Sequence, residues 1–221
     1  QVTHNDVSLL VYTGISAGWR WGYGEVPSKN NVISFNRIHH IGWDVLADMG
    51  GIYTLGEAPG TVLANNVIHD IDGDGDSGMH GLYNDNSTSQ MLLENNLVYR
   101  VRDGGYQLGS GKGNVLRNNV FVADPRDHSK HGQILFCMYY PVETHLAGTF
   151  ERNIICGSGG KLFSMPEFGS RLEFRNNLYW EPSGTPLDFA GKSFEAWRKL
   201  GRDAGSVVAD PKFRDPVKDD F

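Results

Sequence analysis

The sequence predicts an all-β fold, a right-handed parallel β-helix in which the chain winds into a solenoid of stacked coils. Three observations support this prediction: a repeat centred on asparagine, a second column of glycines between its copies, and a composition with 28 glycines among 221 residues. Abundant Gly and Asn with scattered β-branched residues is typical of short strands joined by tight turns. Hydrophobic residues make up 39% and charged residues 21%, which indicates a folded, globular chain.

The asparagine-centred repeat begins with "VISFNRIHHI" and "VLANNVIHDI" and continues along most of the chain. Apolar and polar residues alternate on both sides of a fixed asparagine, which predicts a strand, a turn and a second strand. Asparagine suits such a turn because it tolerates left-handed backbone and its side chain can bond a neighbouring backbone group. Stacked once per coil, these side chains are expected to form a ladder. Its predicted members are Asn36, Asn66, Asn96, Asn119, Asn153 and Asn177, with a weaker first copy at Asn5.

The glycine column opens another short strand roughly midway between the asparagine repeats. Each coil is therefore expected to contain two or three short strands, each pairing with its copy in the next coil at ~4.8 Å. A leucine-rich or propeller fold is excluded because the chain has no LxxLxL pattern and no WD signature. The glycines of this column are Gly14, Gly51, Gly81, Gly105 and Gly160.

The organisation along the chain predicts coils over residues 1–180 and an extension over residues 181–221. Repeat columns are already present at Asn5 without a polar cap before them, so the coils are expected to belong to a longer solenoid in the same polypeptide. The segment "SFEAWRKLG", residues 193–201, predicts a short helix with Ser193 as its N-cap and with Trp197 and Leu200 facing inward.

Charge, cysteine content and hydropathy exclude several classes of protein. The net charge is −6 and no Lys/Arg stripe is present, which argues against a nucleic-acid partner. No apolar run approaches the ~20 residues that span a bilayer. The two cysteines, Cys137 and Cys156, are too few for a disulfide scaffold. Two buried free thiols are favoured over a single disulfide.

Several segments together resemble bacterial secreted β-helix enzymes that act on carbohydrates, and the group they resemble most is glycoside hydrolase family 141, which includes α-L-fucosidases and xylanases. "DMGGIYTLG" is the most specific of these segments. The resemblance implies a carbohydrate substrate, a secreted, periplasmic or cell-surface bacterial protein, and no required cofactor. The other segments are "YTGISAGWRWG", "PGTVLANNVIHDI", "GLYND" and "AWRKLGRDAGSVVADPKF".

The resemblance also implies a pair of catalytic aspartates, carried to Asp48 of "DMGGIY" and Asp85 of "GLYND". The chain departs from similar proteins in two places. Asn86 stands where an acidic residue often follows the second aspartate, and "GGYQLGSG", residues 104–111, replaces a stretch that is often rich in histidine.

The register of these two aspartates poses a geometric requirement. Glycoside hydrolysis needs two carboxyl groups flanking the scissile bond. Aligned on the glycine column, Asp48 and Asp85 differ by seven residues, or ~23 Å of extended chain. They can act together only if the chain bends sharply at "MGG", residues 49–51, and double glycine permits such a bend. Asp103, which precedes its own two glycines, is a rival partner for Asp48. Each aspartate could instead simply bond the backbone of a turn.

Aromatic residues near the aspartates are candidates for contacts with sugar rings. Tyr53 and Tyr83 occupy the same column and should stack on one face. Trp21 and Trp43 lie nearby in sequence. His39 is a further candidate for substrate binding. It shares a column with His69, and this pair reads either as a polar surface ladder or as a metal site.

The run "DIDGDGDSG", residues 70–78, contains alternating carboxylates at Asp70, Asp72 and Asp74. This alternation resembles the first half of a calcium-binding loop, although Gly81 stands where such a loop has its bidentate glutamate. A structural calcium ion, a solvated acidic loop and a substrate-binding loop all remain open.

Hydrolysis is the leading functional hypothesis. A polysaccharide lyase or uronate epimerase is its rival, because the same fold supports different chemistries. Lyases need a cation to neutralise the uronate and a base to remove a proton. The basic residues available for this do not cluster near the Asp-Gly-Gly sites; they are Lys112, Arg117, Lys130 and His131. A non-catalytic glycan-binding solenoid is the third alternative.

Overall fold

The structure is a computed structural model that describes residues 1–43, 45–73, 78–124, 131–140, 143–165 and 171–221. The described residues include short strands, an α-helix (α1, Phe194–Lys199) and a 3-10 helix (Pro216–Lys218). The strands are β1 (Val2–Thr3), β2 (Asp6–Leu10), β3 (Ile15–Gly18), β4 (Val32–Ser34), β5 (Arg37–Ile41), β6 (Met49–Glu57), β7 (Val62–Ala64), β8 (Val67–Ile71), β9 (Met79–Ser89), β10 (Leu92–Glu94), β11 (Leu97–Val101), β12 (Tyr106–Gly109), β13 (Asn114–Arg117), β14 (Val120–Val122), β15 (Ile134–Cys137), β16 (Gly148–Glu151), β17 (Ile154–Cys156), β18 (Lys161–Ser164), β19 (Leu172–Arg175), β20 (Leu178–Trp180), β21 (Asp188–Phe189) and β22 (Val207–Val208).

These strands form three parallel sheets that run the length of the solenoid. The first sheet has the order β1-β4-β7-β10-β13-β16-β19, the second β2-β5-β8-β11-β14-β17-β20-β22, and the third β21-β18-β15-β12-β9-β6-β3. Up to β21, every third strand joins the same sheet, so each complete coil contributes one strand to each sheet; β22 then adds a last strand to the second sheet. The architecture confirms the predicted right-handed parallel β-helix, with three strands in a complete coil.

The predicted asparagine ladder is present at the turn between the first and second sheets. The Nδ2 of Asn36 donates to Oδ1 of Asn66 at 3.0 Å, and Asn66 donates in the same way to Asn96 at 3.0 Å. The same Oδ1 atoms also accept the backbone N–H of the preceding ladder residue, at 3.1 Å in both cases. The ladder thus satisfies buried polar groups along the turn, which would otherwise cost stability.

The left-handed backbone of this turn lies one residue earlier than predicted. The ladder asparagines do not have positive φ; the residues before them do, with φ between 53° and 56°. The two positions have different roles. The residue before each ladder asparagine makes the left-handed turn, and the buried asparagine directs its side-chain amide along the solenoid axis. The left-handed residues are Phe35, Asn65, Asn95, Asn118, Arg152 and Asn176.

The glycine column is explained by close packing at the corner between the second and third sheets. A Cβ on Gly51 would lie 2.4 Å from Cγ2 of Ile68, and a Cβ on Gly81 would lie 2.2 Å from Cγ1 of Val98. Neither separation is sterically allowed, so the core side chains of the second sheet occupy the space that a side chain at these positions would need.

The required bend at residues 49–51 is also present. Met49 and Ile52 both lie in the hydrophobic core although they are three residues apart in one strand. A straight strand turns successive side chains to opposite faces, so this spacing requires a change of direction between them. The Cβ position of Gly50 lies only 3.0 Å from the Ile52 carbonyl oxygen, which shows how tightly the chain turns.

The extension continues the solenoid beyond the predicted boundary at residue 180. Strand β21 pairs with β18 and strand β22 pairs with β20. The helix begins after Ser193, whose hydroxyl accepts from the Ala196 N–H at 3.2 Å, as predicted. Trp197 is buried against the core, also as predicted. Leu200 is 57% exposed, so its predicted inward orientation is wrong: it lies just after the helix, past the core-facing turn.

Asp203 ends the asparagine ladder at this side of the molecule. Its carboxylate accepts the Trp197 indole N–H at 2.6 Å and the Tyr179 hydroxyl at 2.8 Å, and Asn177 Nδ2 donates to it at 3.4 Å. The backbone N–H of Asn177 donates to the Ser206 hydroxyl instead of to another asparagine. The extension therefore replaces the next ladder residue.

Both cysteines are free thiols, as favoured from the sequence: Cys156 is buried and Cys137 is half-buried. Burial raises the pKa of the Cys156 thiol to about 12, so this thiol is unreactive at neutral pH. Among the described residues, no helix has both the length and the apolar character needed to cross a bilayer.

Candidate functional site

The candidate site lies on the outer face of the third sheet, where β6 and β9 run side by side. Tyr53 and Tyr83 are paired in register on these strands. Their ring centroids lie 4.6 Å apart with an interplanar angle of 32°, so the two rings pack together on one face as predicted, although in a tilted rather than a parallel arrangement. Both rings are almost fully buried, with 2% and 3% exposure. Their faces are therefore not open to a sugar, and the hydroxyl groups are the parts that can act at the site.

Each of these hydroxyls holds one of the predicted aspartates, and the two bonds cross between coils. The Tyr83 hydroxyl, on β9, donates to Oδ1 of Asp48 at 2.9 Å, next to β6. The Tyr53 hydroxyl, on β6, donates to Oδ2 of Asp85 at 2.7 Å, on β9. Asp48 and Asp85 are thus both held by the hydroxyl groups of one tyrosine pair. The bend at residues 49–51 makes this possible because it brings Asp48 back towards Tyr83.

The two carboxylates differ in their surroundings. Asp48 is exposed and has left-handed backbone with φ 57°. The Tyr12 hydroxyl donates to its carbonyl oxygen at 2.9 Å, which fixes this strained residue from the neighbouring coil. Asp85 is 4% exposed and lies opposite Leu55 in the sheet. The Asp48 carboxylate is therefore in contact with solvent, whereas Asp85 is almost completely buried.

The electrostatic environment keeps both phenols protonated. Burial, followed by the hydrogen bond to Asp85 and the charges of Asp85 and Asp48, raises the pKa of Tyr53 far above its ordinary value. Burial and then the charges of Asp85, Tyr139 and Asp48 do the same for the pKa of Tyr83. The phenols therefore donate hydrogen bonds throughout the physiological pH range. Both carboxylates act on both phenols, so the four groups form one cluster.

His80 lies behind this cluster and was missed by the sequence analysis. Its ring is fully buried, and its centroid lies 5.4 Å from that of Tyr83. Burial, together with the charge of His131, lowers the pKa of His80 to about 3, so the imidazole is neutral. A neutral ring in this position supports Tyr83 without adding a positive charge near Asp48.

Asp103 occupies a supporting position in the adjacent coil. Its Oδ2 accepts the Met79 backbone N–H at 3.0 Å, and burial is the main cause that raises the pKa of its carboxyl group. The side chain is 3% exposed. This is the backbone-bonding role that the sequence left open for each aspartate, and it separates Asp103 from the tyrosine-linked pair.

Two sets of contacts border the carboxylates, and the sequence alone identified neither. On one side, Asn86 Oδ1 accepts the Gly22 N–H at 2.9 Å and the Tyr140 hydroxyl at 3.0 Å, and it thereby connects two loops. On the other side, a Cβ on Gly109 would lie 2.4 Å from the Tyr139 ring and 3.0 Å from Oδ1 of Asp85. The available signal was the position of Asn86 beside Asp85. Its partners come from distant segments and could not be inferred from spacing.

The predicted binding residues outside the third sheet are distributed more widely than expected. Trp21 and Trp43 are exposed at 69% and 54%. His39 lies on the outer face of the second sheet, not beside the aspartates, and its Nε2 is 2.9 Å from Oδ1 of Asp6. The structure therefore does not bring His39 to the aspartates: its column faces outward from a different sheet.

His39 instead belongs to a surface ladder. Its ring stacks on His69 with centroids 5.0 Å apart, and His69 stacks on Tyr99 at 4.8 Å. The histidine column therefore forms a polar ladder, which is one of the two alternatives that the sequence left open. Among the described residues, no group of three or more His, Cys, Asp or Glu is arranged to hold a metal ion.

The described aspartates of the acidic run, Asp70 and Asp72, form ion pairs with arginines. Oδ1 of Asp70 lies 2.7 Å from Nε of Arg100, and Oδ1 of Asp72 lies 3.1 Å from a terminal nitrogen of Arg102. Asp74 lies outside the described residues. Asp70 and Asp72 each face an arginine of the next coil rather than a common centre, and a calcium site there stays a prediction.

The fold and this site define a class: a right-handed parallel β-helix protein with a paired-carboxylate cluster on the outside of one sheet. A family model described as "Right handed beta helix region" matches residues 21–132, and the chain belongs to that family. Neither a curated protein nor a solved structure matched the chain. The family match confirms the β-helix part of the expected resemblance, and this fold carries several chemistries.

Proposed function

We propose that the protein is a glycoside hydrolase in which Asp48 and Asp85 are the two catalytic carboxylates. The observation that carries this proposal is the crossed arrangement, in which two stacked tyrosines of adjacent coils each hold one of the two aspartates. Glycoside hydrolysis requires two such groups, one to protonate the leaving oxygen and one to act as base or nucleophile. The resemblance to glycoside hydrolase family 141 points to the same pair.

The tyrosines give each carboxylate a defined orientation. A phenol that donates to one oxygen of an aspartate fixes the plane of the carboxyl group. Tyr83 does this for Asp48, and Tyr53 does it for Asp85. Such preorganisation lowers the cost of reaching the reactive geometry.

The pairing of nearby cations supports hydrolysis over uronate chemistry. Lys112 is 3.0 Å from Oε1 of Glu57, and the buried guanidinium of Arg171 is 2.6 Å from Oε2 of Glu143. A lyase or epimerase needs a positive charge directed at the sugar carboxylate. Lys112 and Arg171 are already matched with carboxylates, which favours a neutral sugar. A polysaccharide substrate would place the protein outside the cell.

The test is a substrate screen combined with single substitutions. Aryl-xylosides, aryl-fucosides and plant polysaccharides are incubated with the wild type, and released aryl alcohol or reducing sugar is measured. Asp48→Asn and Asp85→Asn should each lower turnover by about 10²–10⁴-fold, because each removes a group that transfers a proton or attacks the sugar. Asp6→Asn is the matched control, since Asp6 is an exposed carboxylate on the second sheet.

Three results would contradict the proposal. Turnover that survives both substitutions in folded protein would refute the assigned pair. An equal loss in Asp6→Asn would show a general effect of charge. Product that absorbs in the ultraviolet because it carries an unsaturated uronic acid at its non-reducing end would establish elimination and hence a lyase.

A further inference from the structure

We propose that the indole of Trp19 is the stacking platform for a pyranose ring of the substrate, next to Asp85. This inference rests on the proposed function and names a residue that determines substrate binding. The ligand it implies is a saccharide longer than one unit, with one ring on the indole and a neighbouring glycosidic bond at the carboxylates.

The position of Trp19 connects an exposed aromatic surface to the carboxylate cluster. Its side chain is 49% exposed. Its ring lies 5.2 Å from that of Tyr53 at an interplanar angle of 84°, and the Tyr53 hydroxyl holds Asp85. A perpendicular contact covers at most one face of the indole, and the 49% exposure of the residue leaves apolar ring surface accessible to a ligand. The apolar C–H face of a pyranose is the complement of such a surface.

The backbone at Trp19 is strained and firmly held. Trp19 has φ 78°, a left-handed conformation that is rare for a bulky residue. Its N–H donates to the Leu55 carbonyl at 2.9 Å. The flanking chain is packed directly on the end of β6: a Cβ on Gly18 would lie 2.1 Å from the Leu55 oxygen, and a Cβ on Gly56 would lie 2.1 Å from the Arg20 oxygen.

Strain of this kind persists only where the surrounding structure enforces it, and it occurs preferentially at functional sites. A glycine at position 19 would satisfy the same backbone without strain. The chain instead has a tryptophan there, presented on a rigid support. A platform that is already ordered loses little entropy when a ligand binds, which is a requirement for useful affinity from one stacked ring.

Trp21 provides a matched control in the same segment. It is more exposed than Trp19, at 69%, but its residue does not have left-handed backbone. Trp19 and not Trp21 contacts Tyr53 among the described aromatic pairs. General surface hydrophobicity would make the two tryptophans equivalent, whereas a platform packed on Tyr53 requires a larger effect at Trp19 than at Trp21.

The experiment compares four variants: Trp19→Ala, Trp19→Phe, Trp19→Gly and Trp21→Ala. KM and kcat are measured on xylo- and fucosyl-oligosaccharides of two to six units and on the corresponding aryl monosaccharides. Trp19→Ala should raise KM for oligosaccharides by about tenfold, with a smaller change for aryl monosaccharides. Trp19→Phe should recover much of the affinity, and Trp21→Ala should change KM less than Trp19→Ala does.

Trp19→Gly protects the test against misfolding, because it removes the ring while relieving the left-handed strain. It should reproduce the rise in KM with thermal stability equal to or above that of the wild type. Unchanged KM in Trp19→Gly, or equal effects in Trp19→Gly and Trp21→Ala, would overturn the platform.

Titration of folded Asp48→Asn protein with the same oligosaccharides, followed by tryptophan fluorescence, separates this inference from the proposed function. Saturable binding that disappears with Trp19→Gly supports the platform whatever happens to turnover. Turnover that persists in Asp48→Asn, with binding still dependent on Trp19, would refute the carboxylate assignment and retain the platform. Absence of any binding would overturn the platform.

Discussion

The asparagine ladder allows a quantitative prediction about stability. Asn96 is 1% exposed, and its side chain makes four hydrogen bonds. Oδ1 accepts the Asn66 N–H at 3.1 Å and the Asn66 Nδ2 at 3.0 Å, while Nδ2 donates to the Leu63 carbonyl at 2.9 Å and to Asn119 Oδ1 at 3.0 Å. At about 1 kcal/mol for each bond, Asn96→Ala should lower the free energy of unfolding by about 4 kcal/mol.

A loss of that size is a large part of the roughly 5–15 kcal/mol that stabilises a typical domain. The assay is urea denaturation followed by circular dichroism, with the slope m checked for constancy between variants. Asn95→Gly is the matched control in the adjacent position. Asn95 is exposed and left-handed with φ 56°, so glycine should be tolerated there with a change of about 0.5 kcal/mol or less. Equal destabilisation by both substitutions would refute the division between buried ladder residue and turn residue.

Two further predictions concern the corner and an ion pair. Gly81→Ala should destabilise the protein by about 1–3 kcal/mol through the clash with Val98. The double variant that also carries Val98→Ala should recover part of this loss. If urea denaturation shows that the two substitutions change the free energy of unfolding independently, the packing argument is contradicted. Burial raises the pKa of Asp70, but its bonds to Arg100 and His69 outweigh this and hold the pKa below 3.8. Asp70 therefore stabilises the fold above about pH 4 and loses this effect as the pH falls. Asp70→Asn should lower the melting temperature at pH 7, and its difference from the wild type should shrink below pH ~4; a difference that is independent of pH would contradict the ionic origin.

The repeat made most of the fold predictable. A β-helix coil satisfies the same constraints in every turn, so the pattern appears repeatedly in sequence as Asn36, Asn66 and Asn96 and as Gly51 and Gly81. The parts that were missed depend on single, non-repeated contacts. The continuation of two sheets into the extension is one example, because two-residue strands leave almost no periodic signal.

The candidate site was predictable only in part. The resemblance to a family of glycoside hydrolases pointed to Asp48 and Asp85, and the double glycine correctly indicated a bend. The spacing did not show that the bend brings Asp48 within hydrogen-bonding distance of Tyr83, because this contact depends on the Tyr83 side chain reaching the neighbouring coil. The position of His39 relative to the aspartates was not predictable, since a column fixes which residues align along the solenoid but does not fix which sheet lies beside the candidate aspartates.

The sequence by itself determined the class of fold, the ladder and the positions where no side chain fits, because these are properties of a repeated coil and are set by local periodicity and sterics. Only the tertiary structure decided that Tyr53 and Tyr83 are buried and donate hydrogen bonds to the aspartates, and that Trp19 packs against Tyr53. These contacts join residues 32–35 positions apart in sequence. Their geometry depends on the register between neighbouring coils and on the packing of loops over the third sheet, which no pattern within a single coil specifies.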